Sequence, residues 1–198
     1  MRIILALLIG YLLGSFPTGY LLGKLKGIDI RQEGSGNIGA TNVWRSLGPL
    51  PAFLALLGDA AKGALAVVAG RWLAGPGVGD LLGGLAALTG HGWSVFLRLQ
   101  GGKMIATGLG VVLAIDPRVA GLAFLVWGLV LAVGRYVSLS SILAAASVPV
   151  WFLLLGRGGW YAAFGTALAV LAIYKHRSNL ERLLKGSEFR VGSRRNTR

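Results

Sequence analysis

Long uncharged stretches dominate the hydrophobic pattern of this chain. Five of them are typical of membrane-spanning helices, which need roughly 20 residues to cross the hydrocarbon core. They cover residues 3–23, 81–97, 119–134, 136–156 and 158–174. Two further stretches are less regular, since residues 50–70 carry Asp59 and Lys62, and residues 104–115 offer only 12 uncharged positions. The pattern predicts an all-α membrane protein with about seven transmembrane helices.

Composition supports this interpretation and excludes a large soluble domain. Apolar residues make up 55% of the 198 positions, charged residues make up 14%, and the mean hydropathy is +0.68. Seven crossings leave room for little else, so we expect a single polytopic membrane domain over residues 1–198, with residues 189–198 as a basic tail. Pairs such as Gly10 and Gly14 have the four-residue spacing of closely packed membrane helices.

The uneven distribution of basic residues sets the predicted orientation. With seven crossings, residues 24–49, 98–103, 134–137 and the tail from Lys175 share one side of the membrane. Together these segments hold 15 of the 20 Lys and Arg residues. Because positive residues favour the cytoplasm, we expect the N-terminus outside and the C-terminus in the cytoplasm.

The net charge of +13 and the lack of cysteine narrow the classes of function. In a membrane protein, anionic lipid headgroups or anionic substrates explain the positive excess better than nucleic acid does, so no nucleic-acid partner is expected. Without cysteine, a disulfide, a thiolate metal site and a thiol nucleophile are impossible. Two histidines and seven scattered acidic residues argue against a dedicated metal site. We therefore expect neither metal nor cofactor.

The first predicted inner loop combines glycines with small polar residues. Before Arg45, it contains Ser35, Gly36, Asn37, Gly39, Ala40, Thr41 and Asn42. Glycines let a backbone approach a ligand, and successive N–H groups can surround an anion. The planar guanidinium of Arg45 suits phosphate oxygens. This density favours an anion site over an ordinary flexible turn, and the missing Gly-Lys-Ser/Thr ending excludes a nucleotide P-loop.

The second predicted inner loop ends in Gly101, Gly102 and Lys103, directly before the short apolar stretch that contains Thr107. N–H donors, the positive end of a helix dipole and an ammonium group would lie together there, which suits phosphate. A positive charge that merely flanks a short span explains these residues equally well.

The third inner segment and the tail add candidate polar groups. Ser141 lies near the predicted start of a helix, and we favour a helix-capping role for it over a position that faces a cavity. In the tail, leucines at helical spacing, closed by Gly186, predict a short interfacial helix. His176 and Asn179 would share one face of that helix.

Polar residues also occur within the apolar stretches. Asp59 and Lys62 are three residues apart, and we favour a structural ion pair over direct catalysis for them. His91 is a lone histidine, for which a hydrogen-bonded packing role is the simpler interpretation.

The three inner segments resemble the three motifs of the bacterial acyl-phosphate:glycerol-3-phosphate acyltransferase family. The first motif is matched by residues 35–42 and Arg45. The second is matched by Gly90, His91, Phe96, Gly101, Gly102, Lys103, Ala106 and Thr107, and the third by His176, Arg177, Asn179, Arg182, Leu183, Gly186 and Glu188. The chain departs from the family pattern at two positions. Ser94 stands where a proline is usual, and Met104 stands where a glycine usually follows the lysine.

The resemblance implies transfer of a fatty acyl group from acyl phosphate to the sn-1 hydroxyl of glycerol 3-phosphate. This reaction gives lysophosphatidic acid and phosphate. It also implies a monomer among the lipids of the bacterial inner membrane, with the active site on the cytoplasmic side. One rival class is a transporter or flippase for a phosphorylated lipid or metabolite. Another is a metal-dependent headgroup transferase that uses a nucleotide-activated lipid, which would usually need clustered aspartates.

The site hypothesis divides the residues between the two substrates. The acyl phosphate would be cradled by residues 35–42. Glycerol 3-phosphate and the developing charge would be surrounded by Arg45, Lys103, Ser141, His176 and Asn179, with Gly101, Gly102, Thr107, Arg177 and Glu188 also in the substrate site. Ser35, Arg45, Lys103, His176 and Asn179 are the catalytic candidates. His176 or the acceptor's own phosphate would take the proton, and Ser35 is disfavoured as a covalent nucleophile because no partner base is evident nearby.

Overall fold

The structure is a computed structural model that describes residues 1–192. Within this range it contains ten α-helices and no β-strand, apart from one isolated bridge between Ser94 and Gln100. The helices are α1 (Arg2–Ser15), α2 (Thr18–Leu25), α3 (Ala40–Leu47), α4 (Pro49–Ala74), α5 (Val78–Gly92), α6 (Ile105–Ile115), α7 (Pro117–Gly134), α8 (Val137–Leu154), α9 (Gly159–Lys175) and α10 (Arg177–Leu184). The predicted all-α fold is therefore confirmed for the described residues.

Four stretches within residues 1–192 are long and apolar enough to cross a membrane. They are Arg2–Leu25, Pro49–Ala74, Pro117–Gly134 and Val137–Leu154. The chain is therefore a multi-pass membrane protein. Helices α5, α6 and α9 have 15, 11 and 17 residues and are shorter than these spans. Seven crossings and the orientation stay predictions.

The chain divides into two compact units, Met1–Arg118 and Val119–Arg198. In the first unit, α4 packs against α1, α3, α5 and α6, and α1 packs against α5. Gly10 and Gly14 of α1 lie so close to Gly83 and Ala87 of α5 that an added Cβ would overlap them. The predicted use of glycine for close helix packing is confirmed.

Two apolar stretches of the first unit are interrupted. Pro17 has no N–H to donate, and α1 ends at Ser15 before α2 begins at Thr18. The second stretch, residues 81–97, does not form one helix either. Helix α5 ends at Gly92, and a short 3-10 turn follows at Val95–Leu97.

Part of the predicted first loop is helical. Helix α3 buries Val43 in a cluster with Ile30, Ile38 and Leu97. Leu97 lies just before the second loop, so the two glycine-rich segments of the first unit share one small core. That shared core explains why the chain folds into a helix here rather than remaining an open loop.

The second unit is built on α8 and α9, which pack against each other through a short connection. Gly165 of α9 lies against Pro149 of α8, and the rings of Phe152 and Tyr161 are 5.7 Å apart between centroids. The predicted short tail helix is present as α10, which begins directly after His176.

Candidate active site

The first glycine-rich loop is organised around Asn42. Its side chain is 2% exposed, and its Nδ2 donates to the carbonyls of Ile30 at 3.1 Å and Glu33 at 2.9 Å. Its Oδ1 accepts the N–H of Ser35 at 2.9 Å. Gly34 has a φ of +56° and a Cβ added there would collide with Asn42 Oδ1, so a side chain at this position would be strained and would also overlap Asn42. Asn42 therefore fixes the path of the loop from within.

The loop leads into the N-terminus of α3. Gly39 precedes the helix without a side-chain cap, and its N–H donates to Asn37 Oδ1 at 2.9 Å. Ser35, Gly36 and Thr41 are exposed, while Ala40 is half-buried. Arg45 is half-buried one helical turn beyond Thr41, so both residues lie on one side of α3. Exposed hydroxyls, helix N–H groups and a guanidinium together form an arrangement that can bind an anion.

The second loop packs against the end of α5. The N–H of Gly102 donates to the His91 carbonyl at 3.0 Å. A Cβ on Gly101 would overlap the carbonyls of His91 and Gly92, and a Cβ on Gly102 would overlap the His91 ring. Lys103 follows at the start of α6 and is half-buried. The two glycines thus allow a close contact that no larger residue would permit.

The two departures from the family pattern have local explanations. Met104 has a φ of +67°, a left-handed conformation that glycine adopts without strain. Its side chain is 2% exposed and fills the space beside Gly92. The N–H of Ser94 donates to Gln100 at 3.2 Å and its hydroxyl donates to the Ser15 carbonyl at 2.6 Å, neither of which a proline could do.

Thr107 lies inside the first unit. It is 0% exposed, and its backbone is in close contact with Gly63 of α4. Its hydroxyl has no hydrogen-bond partner among the described residues.

Two charged residues of α4 form a buried pair with His91 nearby. Lys62 Nζ lies 2.8 Å from Asp59 Oδ1, and His91 Nδ1 lies 3.8 Å from the same oxygen. Lys62 Nζ also donates to the Phe16 carbonyl at 2.6 Å, where Pro17 interrupts the first span. The predicted ion pair between Asp59 and Lys62 is confirmed. No three His, Asp or Glu side chains within residues 1–192 lie close enough to hold a metal ion.

In the second unit, a cluster forms around Glu188. Its carboxylate accepts hydrogen bonds from Ser138 Oγ at 2.8 Å, Asn179 Nδ2 at 2.7 Å and Arg182 Nε at 2.7 Å. We call these four residues the Glu188 cluster. Burial acts to raise the pKa of Glu188, but these three donors outweigh it and leave the pKa below its usual value. The carboxylate therefore stays ionised and holds the start of α8 to α10.

His176 lies at the junction of α9 and α10 and is 3% exposed. Its Nδ1 lies 2.7 Å from the Ala172 carbonyl. Because a carbonyl can only accept, Nδ1 carries the proton, and Nε2 is the basic nitrogen. The buried Ser141 accepts the indole N–H of Trp127 at 3.3 Å. Arg177 is exposed, and its guanidinium lies over the ring of Tyr174 at 4.8 Å.

The family model described as glycerol-3-phosphate acyltransferase matches residues 4–186. The chain belongs to the glycerol-3-phosphate acyltransferase family. A family member from Desulforudis audaxviator is 57% identical over 196 residues and covers 98% of each chain. Another, from Carboxydothermus hydrogenoformans, is 46% identical over 195 residues, which are 98% of this chain and 99% of that protein.

Solved structures agree with this assignment to the glycerol-3-phosphate acyltransferase family. The crystal structure of PlsY, an integral membrane glycerol 3-phosphate acyltransferase, in its glycerol 3-phosphate form has a TM-score of 0.91 and 38% identity. The match covers 97% of this chain and 96% of that chain. The lysophosphatidic acid form of PlsY gives a TM-score of 0.88 at 39% identity.

In this acyltransferase-family chain, sequence reasoning missed two polar residues of the second unit. Ser138 and Arg182 both donate hydrogen bonds to Glu188, and neither was predicted as a site residue. The signal for them appears only once Glu188 is known to be buried, because a buried carboxylate needs more than one hydrogen-bond donor. The serines at 138, 140 and 141 were the nearest hydroxyls at a helix start.

Proposed function

We propose that this protein transfers a fatty acyl group from acyl phosphate to the sn-1 hydroxyl of glycerol 3-phosphate. The products are lysophosphatidic acid and inorganic phosphate, the first step of phospholipid synthesis. The family match over residues 4–186 carries the proposal. The ligand-bound forms named for the similar PlsY structures, glycerol 3-phosphate and lysophosphatidic acid, are the acceptor and product of such a reaction.

In the proposed step, the sn-1 hydroxyl oxygen bonds to the acyl carbonyl carbon. The bond from that carbon to the phosphate oxygen then breaks, and phosphate leaves with the electron pair. Residues 35–42 bind the acyl phosphate through main-chain N–H groups and hydroxyls at the N-terminus of α3. Arg45, Lys103, Ser141, His176 and Asn179 bind glycerol 3-phosphate and stabilise the negative charge that develops on the carbonyl oxygen. We also propose Thr107 and Arg177 as residues of the substrate site.

The hydroxyl proton has two candidate acceptors, His176 Nε2 and the phosphate of the acceptor itself. The hydrogen bond of Nδ1 to Ala172 supports Nε2 as the nitrogen that would act. A His176→Gln variant separates the two. It should lose about two or more decades of rate if the imidazole is the base, and far less if the phosphate takes the proton.

For the membrane arrangement we propose one polytopic domain with seven crossings, the N-terminus outside and the active site facing the cytoplasm of the bacterial inner membrane. We further propose that the protein acts as a monomer. The uneven distribution of basic residues supports the orientation. Since the chain has no cysteine, single cysteines can test it. Cysteines replacing Gln32, Gln100 or Thr197 (the last outside the described residues) should label only from the cytoplasm, and one replacing Gly77 only from outside.

The activity itself is tested with purified protein in detergent. Product should form from acyl phosphate and glycerol 3-phosphate, whereas a transporter or flippase has no compartment to act on and should form none. A chelator should leave the rate unchanged, because side chains and helix N-termini are proposed to neutralise both phosphates. Acyl-CoA should be a poor donor, since its thioester carries no phosphate beside the carbonyl. Efficient use of acyl-CoA would contradict the donor, and no product with either donor would contradict the class.

A further inference from the structure

Three buried polar side chains lie beneath the second loop. Asp59 and Lys62 extend from α4 and His91 extends from α5, and their side chains are 1%, 6% and 3% exposed. Charges buried to this degree are costly unless each is compensated. The acyl-transfer step proposed above uses none of the three, so their place in the fold needs another explanation.

His91 connects this cluster to the second loop. Its main-chain carbonyl accepts the N–H of Gly102 at 3.0 Å, and its ring occupies the space that a side chain on Gly102 would need. A Cβ added to Gly101 would overlap the same carbonyl. Both glycines that precede Lys103 are therefore in direct contact with His91.

The ring of His91 in turn lies close to Asp59 of α4. Its Nδ1 lies 3.8 Å from Asp59 Oδ1, which places the ring next to the carboxylate although the distance is too long for a hydrogen bond. Asp59 is fixed by Lys62 at 2.8 Å, and Lys62 is fixed by the Phe16 carbonyl at 2.6 Å. The chain of contacts therefore runs from the break in the first span, through α4 and α5, to the second loop.

We infer that His91 is a positioning residue, held by Asp59 and Lys62, that keeps the Gly101–Gly102 backbone ordered so that Lys103 faces the substrate phosphate. The inference rests on the proposed function. Two consecutive glycines have large conformational freedom, and without a rigid support they would have to be ordered each time substrate binds. His91 removes that cost while remaining outside the reacting atoms.

Steady-state kinetics of the full-length protein test this role. His91→Ala should raise the KM for glycerol 3-phosphate by about tenfold or more, because small misplacements of a binding group have large effects. The KM for acyl phosphate should change little. Thr89→Ala, on the same helix but outside the cluster, should leave both constants unchanged. His91→Gln should show the same direction of change and serves if the alanine variant does not fold. Equal changes in both KM values would overturn the inference.

A double-mutant cycle asks whether His91 acts through Lys103. In a Lys103→Ala background, His91→Ala should raise the KM for glycerol 3-phosphate much less than it does in the wild-type chain. Fully multiplicative effects would show that His91 acts elsewhere and would overturn the inference.

A spectroscopic readout does not depend on activity. A nitroxide on Gln100→Cys, in a chain without other cysteines, should become more mobile in His91→Ala and not in Thr89→Ala. An unchanged spectrum would overturn the inference. If the wild-type chain makes no product, the proposed function fails instead, and the spectrum still decides whether His91 orders the loop.

Discussion

Two candidate substrate-binding segments are each held by one largely buried polar side chain, but the chemistry differs. In the first unit, the neutral amide of Asn42 bonds to main-chain groups of Ile30, Glu33 and Ser35. In the second unit, the ionised Glu188 bonds to the side chains of Ser138, Asn179 and Arg182. The first arrangement fixes a backbone path, while the second fixes a set of side chains.

This difference decides what each segment can tolerate. Because Asn42 bonds to the backbone, the side chains of the first loop remain available for a ligand, and nothing in its bonding depends on protonation. The Glu188 cluster relies on charge, and its hydrogen bonds to an ionised acceptor are individually stronger. The Glu188 cluster should therefore be sensitive to loss of that charge, whereas the Asn42 loop should be sensitive to loss of the hydrogen bonds that fix its backbone path.

The largest expected effect comes from replacing Lys103 or Arg45, the basic residues of the two glycine-rich segments of the first unit. Lys103→Ala should lower kcat/KM by about two or more decades, since a phosphate dianion loses a charged partner. Arg45→Lys should also be poor, because one ammonium cannot replace the planar guanidinium. Arg194→Ala and Arg195→Ala, outside the described residues, should be nearly silent in the same assay. Near-normal activity of well-folded Lys103→Ala would contradict the role of the second loop.

Asn42→Asp should break the first loop while barely changing its volume. A carboxylate cannot donate to the carbonyls of Ile30 and Glu33, so one buried and one partly buried acceptor lose their partners at a cost of about 2–4 kcal/mol of stability. Thermal unfolding in detergent measures this. Asn37→Asp is the matched control, because Asn37 Oδ1 only accepts from Gly39 and a carboxylate does the same. Equal stability of the two variants would show that Asn42 does not hold the loop.

Glu188→Gln should have a smaller effect on stability than Asn42→Asp. It keeps the shape but replaces one acceptor oxygen with a donor, which weakens the bonds to Arg182 and Asn179 by about 1–3 kcal/mol. Glu181→Gln on the exposed side of α10 is the control and should be silent. The same unfolding assay ranks Asn42→Asp, Glu188→Gln and Glu181→Gln. Unchanged stability of Glu188→Gln would show that the charge of Glu188 does not hold the cluster together.

The smallest effect is a difference in pH response between the two segments. Since the folded pKa of Glu188 is lowered, its contribution to stability is fully present above the usual glutamate pKa of about 4.3 and is lost as the pH falls through the lowered value. Amide protection factors in residues 177–188, which correct for the intrinsic effect of pH on exchange, should therefore fall on acidification below about pH 4. The Asn42 loop should not respond there. Asp29 precedes this loop, and its hydrogen bonds with Arg31 keep the pKa of Asp29 far below that range. Glu188→Gln should abolish the difference.

Much of the fold could be predicted because long apolar stretches in a membrane protein have few alternatives to helices. The breaks at Pro17 and Gly92 escaped prediction because each is stabilised by groups distant in sequence. Lys62 bonds to the carbonyl of Phe16, and the second loop packs against the end of α5. A hydropathy profile depends only on neighbouring residues in the sequence, so it does not reveal such distant partners.

The residue types of the candidate site could be predicted from the sequence, but the directions in which their side chains point could be predicted much less well. Asn42 and Arg177 both belong to motifs that suggest ligand contacts. Asn42 lies in the interior of its loop, and Arg177 lies over Tyr174 on the exposed side of α10. Which way a side chain points depends on helix phase and on packing partners, and these follow from the tertiary structure.

The hydrogen bond from Lys62 to Phe16 has a consequence for how the chain enters the membrane during synthesis. Helix α1 emerges from the ribosome well before α4, and until then the Phe16 carbonyl lacks the Lys62 ammonium. When α4 enters, Lys62 at its middle is unfavourable in lipid by roughly 2.5–3.5 kcal/mol on insertion scales. The first span therefore supplies a hydrogen-bond acceptor for the buried Lys62 of α4, and we expect truncated chains that end before α4 to lack this contact between the two spans.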